Sequence, residues 1–226
     1  DRVEEKAAAL EAIPRSSRGT GAPPPAPRWD QDWFPRLDAA VTYTMVRAAK
    51  PTLVVEVGSG HSTRFMARAV ADAGLATRIR AIDPSPRARL DGLGVEHVAL
   101  DLHQAGDDVF AGLAPGDVLF VDSSHILMPG TDVDRLINRV LPALPTGALV
   151  HIHDVFLPDD YPTSWAWRGY NEQLGVATLI AGGGWQPLFA SRYVATRHPE
   201  WLTRGVLGRL PLMPGACESS LWLRKR

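Results

Sequence analysis

Five short runs rich in Val and Ile, spaced through the middle of the chain, constrain its fold more than any other feature. They are Thr52 to Val57 (TLVVEV), Arg78 to Asp83, Glu96 to Leu100, Asp117 to Asp122 and Gly147 to His153. Near-continuous apolar runs suit parallel strands that are covered on both faces. Amphipathic stretches lie between them. The clearest is Asp132 to Leu144, with Val133, Leu136, Ile137, Val140, Leu141 and Leu144 at helical spacing. Asp38 to Ala49 is another predicted helix, stopped by Pro51. Strand–helix alternation predicts a doubly wound α/β sheet with right-handed crossovers. Trp185 to Val194 and Ser219 to Arg224 are also strand-like and are separated by a long irregular loop.

The 226 residues suffice for one domain with a sizeable core. A formal net charge of -1 gives no electrostatic reason to expect nucleic acid or an anionic membrane as partner. No apolar run approaches the roughly 20 residues needed to cross a bilayer. Cys217 is the sole cysteine, which fits a reducing, cytoplasmic setting. The chain starts at Asp1 rather than Met, so a missing leader carries little weight. Residues Asp1 to Ala12 read as a short helix, and Ile13 to Pro27 as an extended Pro-rich connector. The expected division is a lead-in over residues 1–28 and a folded domain over residues 29–226.

The sharpest local signal is Val-Glu-Val-Gly-Ser-Gly-His-Ser-Thr, residues 55 to 63. Gly58 and Gly60 fall where the first strand ends and the next helix begins, allowing a tight turn and close approach of a ligand to backbone. A nicotinamide fingerprint wants a third glycine, where this chain has Thr63. Asp83 ends the second strand, where a carboxylate can accept both hydroxyls of a ribose; the alternative is a cap or a solvated loop residue. Asp101, after the third strand, is a looser candidate for the adenine side.

These residues resemble class I S-adenosylmethionine-dependent methyltransferases, whose first motif is an acid followed by Gly-x-Gly, here Glu56-Val57-Gly58-Ser59-Gly60. Phe120 to His125 (FVDSSH), Asp132, and Leu149 to Asp154 (LVHIHD) resemble a bacterial group with IDG-x-H and HD motifs. That group includes cephalosporin-hydroxylase-like and sugar O-methyltransferase relatives. Ser123 stands where the pattern usually has Gly. Trp33-Phe34-Pro35 and Tyr170-Asn171-Glu172-Gln173 add to the likeness, which covers residues 29–226. It implies a seven-stranded sheet, mostly parallel, with the last strand antiparallel.

Asp122 and Asp154 end adjacent strands and have His125 and His153 as neighbours. Such a set could bind a divalent ion or do acid–base work. Metal-dependent O-methyltransferases resemble it, which makes Asp122, His153 and Asp154 candidate ligands for Mg2+ or another divalent ion. His125 reads as either a base or a structural hydrogen-bonder, and His151 as a core histidine. His61 and Ser62 open the first crossover helix, where they could meet the cofactor or simply cap. Trp165, Trp167 and Tyr170 could form a lid or pack on the sheet.

The expected activity is methyl transfer to an oxygen of a small-molecule or sugar hydroxyl. Glu56, Gly58, Ser59, Gly60, His61, Ser62, Asp83, Asp101 and Asp122 are the expected cofactor contacts. Asp122, His125, His153 and Asp154 are the expected catalytic groups. A nicotinamide-dependent oxidoreductase and a non-catalytic S-adenosylmethionine-binding protein are the alternatives.

Overall fold

Strand β1 (Leu53–Val57) is buried along its whole length because it runs through the middle of the sheet. The computed structural model describes residues 2–17 and 23–226. The other strands are β2 (Arg78–Ile82), β3 (Glu96–Val98), β4 (Val118–Val121), β5 (Leu149–Ile152), β6 (Trp185–Ala190) and β7 (Leu221–Lys225). They form one seven-stranded sheet in the order β3-β2-β1-β4-β5-β7-β6. The first five are parallel, and β7 runs antiparallel to both β5 and β6. This is the Rossmann-like sheet expected from the sequence. The order reverses between β1 and β4, and a crevice opens at the carboxyl ends of strands at such a switch point.

Alternation along each strand sends neighbouring side chains to opposite faces. Val54, Val118, Phe120 and Leu149 pack on one face with α2 (Arg36–Ala49) and α3 (His61–Asp72). Val55, Val57, Leu119, Val121, Val150 and Ile152 pack on the other with the helical stretch that begins at Asp132. The same alternation places Glu56, His151 and His153 on the α2/α3 side. Residues 132–143 form one helical run whose middle, Leu136–Val140, is a π-turn. Pro142 explains the widening: it has no N–H to donate, and its ring crowds the carbonyl of Asn138.

Two boundaries differ from the sequence reading. β6 stops at Ala190, and Ser191–Arg197 is helical, so the strand-like run to Val194 overshoots. Short apolar runs do not separate strand from helix by periodicity alone. The N-terminal helix α1 (Ala7–Glu11) packs on the body: Leu10 and Ile13 are buried beside Trp29, and Glu4 accepts the Val206 N–H at 2.8 Å. Residues 18–22 of the Pro-rich connector lie outside the described residues. No helix among the described residues is long and apolar enough to cross a membrane.

Candidate active site

A cleft of about 480 Å3 lies at the switch point, lined by the turn after β1 at one end and the ends of β4 and β5 at the other. That volume falls in the range of small-molecule sites. Gly58 makes the turn possible. Its φ is +79°, and a Cβ there would stand 1.9 Å from the carbonyl oxygen of Asp122. No side chain fits that gap, so the chain crosses β4 with bare backbone.

Asp83 anchors the same turn. Its Oδ2 accepts the Ser59 N–H at 2.7 Å and the Ser59 hydroxyl at 3.0 Å, while Oδ1 accepts the Ser85 N–H at 2.7 Å. It remains partly exposed and lines the cleft, so lone pairs are left for a ligand. Asp101 lines the cleft as well, and its Oδ1 caps the short helix that follows through the Gln104 N–H.

Glu56 is placed differently from Gly58, Ser59, Gly60 and Asp83. It is fully buried, and its oxygens accept the hydroxyls of Ser62 at 2.5 Å and Thr63 at 2.6 Å. Burial pushes its carboxyl up to about 8, against the pull of those two hydroxyls. Its work is to fasten the start of α3 to β1. Ser62 reaches the cleft edge while serving that bond. His61 also lines the cleft, and its buried Nδ1 has no hydrogen-bond partner. Burial, with Arg28 and Arg64 behind it, lowers its imidazole to about 4, which makes it a neutral ring.

At the other end, acids and imidazoles alternate. His125 Nδ1 lies 2.9 Å from Glu172 Oε2, and its Nε2 lies 3.3 Å from Asp122 and 3.5 Å from Asp154. His153 Nδ1 is 3.5 Å from both Asp122 and Asp154, and its Nε2 is 3.3 Å from Asp38. Burial opposes charge on both rings. Asp122 and Glu172 around His125, and Asp154, Asp122 and Asp38 around His153, outweigh it and hold both imidazoles well above their usual range. Asp122 feels burial too, but His153 and His125 hold its carboxyl far below the ordinary value. It keeps about a third of its side chain open to the cleft. Asp122, His153 and Asp154 each offer one ligand atom, all within 4.8 Å of one another.

Two of these residues sit in the left-handed region despite having side chains: His125 at φ 60° and Asp154 at φ 54°. Such conformations persist only where the surroundings fix them. The His125 carbonyl accepts the N–H groups of Asn171 and Glu172, and the Ser219 hydroxyl holds Asp154 at 3.0 Å. Asp132 accepts the Ser124 N–H at 3.0 Å and so holds the loop carrying His125. His151 is a core histidine, as expected. It is fully buried, stacked on Phe120 at 3.8 Å and bonded to Ser220, and burial keeps it well below its usual range.

Sequence reasoning missed Asp38 and Glu172 as partners of the two histidines. Glu172 lay inside a noted motif, but neither residue has a local signal tying it to a histidine far away in the chain. Of the aromatic cluster, Trp165 and Tyr170 line the cleft, whereas Trp167 is 81% exposed. The Arg168 guanidinium sits 4.0 Å from the centre of the Trp165 ring, and it has no carboxylate partner among the described residues.

No curated protein sequence matches this chain. Among solved structures it resembles the O-methyltransferase TomG from Streptomyces achromogenes, involved in tomaymycin synthesis and solved with SAM. The TM-score is 0.53 at 18% identity, over 100% of this chain and 90% of TomG. An O-methyltransferase from Bacillus cereus in complex with SAH gives a TM-score of 0.52 at 13% identity, over 100% of this chain and 91% of that one. A Mg-SAM complex of CmcI gives 0.50 at 15%, over 93% and 88%. At these identities the likeness is one of fold. Residues 55–155 match a family described as a methyltransferase domain, and that segment holds the Gly58 turn, Asp83, Asp122, His125, His153 and Asp154.

Proposed function

We propose that this chain is an S-adenosylmethionine-dependent methyltransferase acting on a hydroxyl of a small molecule. The observation that carries the reading is that one cleft joins the Gly58 turn and Asp83 to the acid–imidazole corner, within the segment that matches a methyltransferase domain. The residues suit the cofactor. The Gly58 turn closes against the Asp122 backbone and borders the cleft, and Asp83 presents a carboxylate to ribose hydroxyls. Ser59 and Gly60 flank the ligand, Asp101 stands on the adenine side, and the neutral His61 ring borders the same end. S-adenosylmethionine supplies a methyl group on a sulfonium, ready for in-line displacement.

The chain's own residues then have to orient the acceptor and take its proton. Trp165, Arg168 and Tyr170 form the wall against which an acceptor would lie. Asp122 faces the cleft, accepts the acceptor's hydrogen bond and passes its proton to bulk water as the methyl group is transferred, while His125, His153 and Asp154 fix the charge around it. Two carboxylates and an imidazole nitrogen also form a donor set for a divalent ion, and one structural neighbour, CmcI, was solved with Mg and SAM. Such an ion would lower the pKa of the acceptor hydroxyl. A sugar or other metabolite hydroxyl is the preferred acceptor, following the resemblance. The cytoplasm is the expected site of action.

The test is thermal stabilisation. S-adenosylmethionine or its demethylated product, at about 100 times its Kd, should add about 2.7 kcal/mol of stability. Stabilisation by NADH and by neither of these ligands would overturn the assignment.

A further inference from the structure

His153 is gripped from behind by a residue far away in the sequence. Asp38, in the first turn of α2, is completely buried and acts as an acceptor through both oxygens. Its Oδ1 takes the Ser220 N–H at 3.1 Å and the Ser191 hydroxyl; its Oδ2 takes the Ser219 N–H at 3.0 Å. The remaining approach to Oδ2 is filled by His153 Nε2 at 3.3 Å. A carboxylate that already accepts three bonds offers no proton, so the hydrogen between them belongs to Nε2.

That leaves Nδ1 facing Asp122 Oδ1 and Asp154 Oδ1, each at 3.5 Å. With one oxygen from each carboxylate, Nδ1 completes a set of ligand atoms that all lie within 4.8 Å of one another, close enough to surround one ion.

We propose that Asp38 is the positioning residue of a mixed nitrogen–oxygen cation site. It fixes His153 as an Nδ1 ligand beside Asp122 and Asp154, and so turns the site toward ions that accept imidazole and away from Mg2+. This rests on the reading of that corner as an ion site. Oxygen-only sets suit Mg2+, whereas imidazole suits later transition ions such as Co2+ and Zn2+. A carboxylate behind a ligating histidine orients the ring and raises its basicity, and losing it costs about 10–100-fold in affinity.

The experiment titrates Co2+ into the metal-stripped full chain, following its visible absorption, with Mg2+ as competitor and S-adenosylhomocysteine affinity measured alongside. Asp38→Asn should weaken Co2+ binding by about 10–100-fold and leave S-adenosylhomocysteine binding intact. His153→Asp should shift the Co2+/Mg2+ preference at least about tenfold toward Mg2+, because it makes the donor set all oxygen. Because Asp38 also ties down backbone, nitrogen NMR of the unaltered protein with Zn2+ provides a separate check. Nδ1 should carry the ion and Nε2 the proton. An Asp38→Asn variant that folds yet binds Co2+ as before, a proton on Nδ1 in the presence of Zn2+, or no Co2+ binding would overturn the proposal. Failure of the unaltered protein to bind S-adenosylhomocysteine would count against the methyltransferase reading alone.

Discussion

The glycine-turn end of the cleft is made largely of backbone and of residues close in sequence; the bond between Ser59 and Asp83 spans 24 positions. The acid–imidazole end draws on residues much farther apart. His125 meets Glu172 across 47 positions, and His153 meets Asp38 across 115. The first end depends on a backbone path that only glycine permits and stays partly open to solvent. The second depends on buried charges that neutralise one another. Damage to the first should therefore appear in ligand binding, and damage to the second in stability.

The largest expected effect tests that contrast at the buried end. His125→Ala leaves Glu172 buried without its cationic partner, and breaking a buried pair in this way costs about 3–5 kcal/mol. Denaturant unfolding should show the loss. A cost under about 1 kcal/mol would mean that the corner is not electrostatically knit together.

Asp83→Ala should do the reverse. It should weaken binding of S-adenosylmethionine by roughly 1–3 kcal/mol, through loss of a charged acceptor, with a smaller change in fold stability. Calorimetry against unfolding data separates the two. Unchanged affinity in a folded variant would make Asp83 a brace for Ser59 and nothing more.

The subtlest effect concerns Glu56, which belongs to the cofactor end by sequence and to the buried kind by environment. Its carboxyl titrates at about 8 when folded, against roughly 4.3 in an unfolded chain. Between those values the folded state holds more protons than the unfolded state. Stability should therefore fall as pH rises through that window and level off above it. Glu56→Gln should change stability by no more than about 1 kcal/mol at pH 5 and flatten the slope from there to pH 8. An unaltered slope would show that Glu56 is ionised in the native protein.

The strands, the glycine turn and the acids at the strand ends were legible because their signals are local: apolar runs, a paired glycine and the position of Asp83, Asp122 and Asp154 after their runs. Asp38 carried no such mark, since an acid early in a helix reads as a complement to the helix dipole. Tyr193 and Val194 continued an apolar pattern and hid the end of β6. Glu56 matched a binding motif, but the alternation of β1 turns it toward α3, where Ser62 and Thr63 occupy it. What the sequence could not display is partnership across the sheet, because that exists only once β5 lies beside β4 and α2 lies over both.

The sheet order also sets a timetable. β7 sits between β5 and β6, yet it follows both in the chain. As the polypeptide is synthesised from its amino end, every parallel strand can assemble while the outer edge of β5 stays bare, and β6 has nothing to join. Ser219 and Ser220, which hold Asp38 and Asp154, emerge just ahead of β7. The glycine-turn end can thus be in place early, while the charged corner and the far edge of the sheet close together when β7 arrives. Until then an unpaired strand edge is exposed, a known template for wrong pairing between chains.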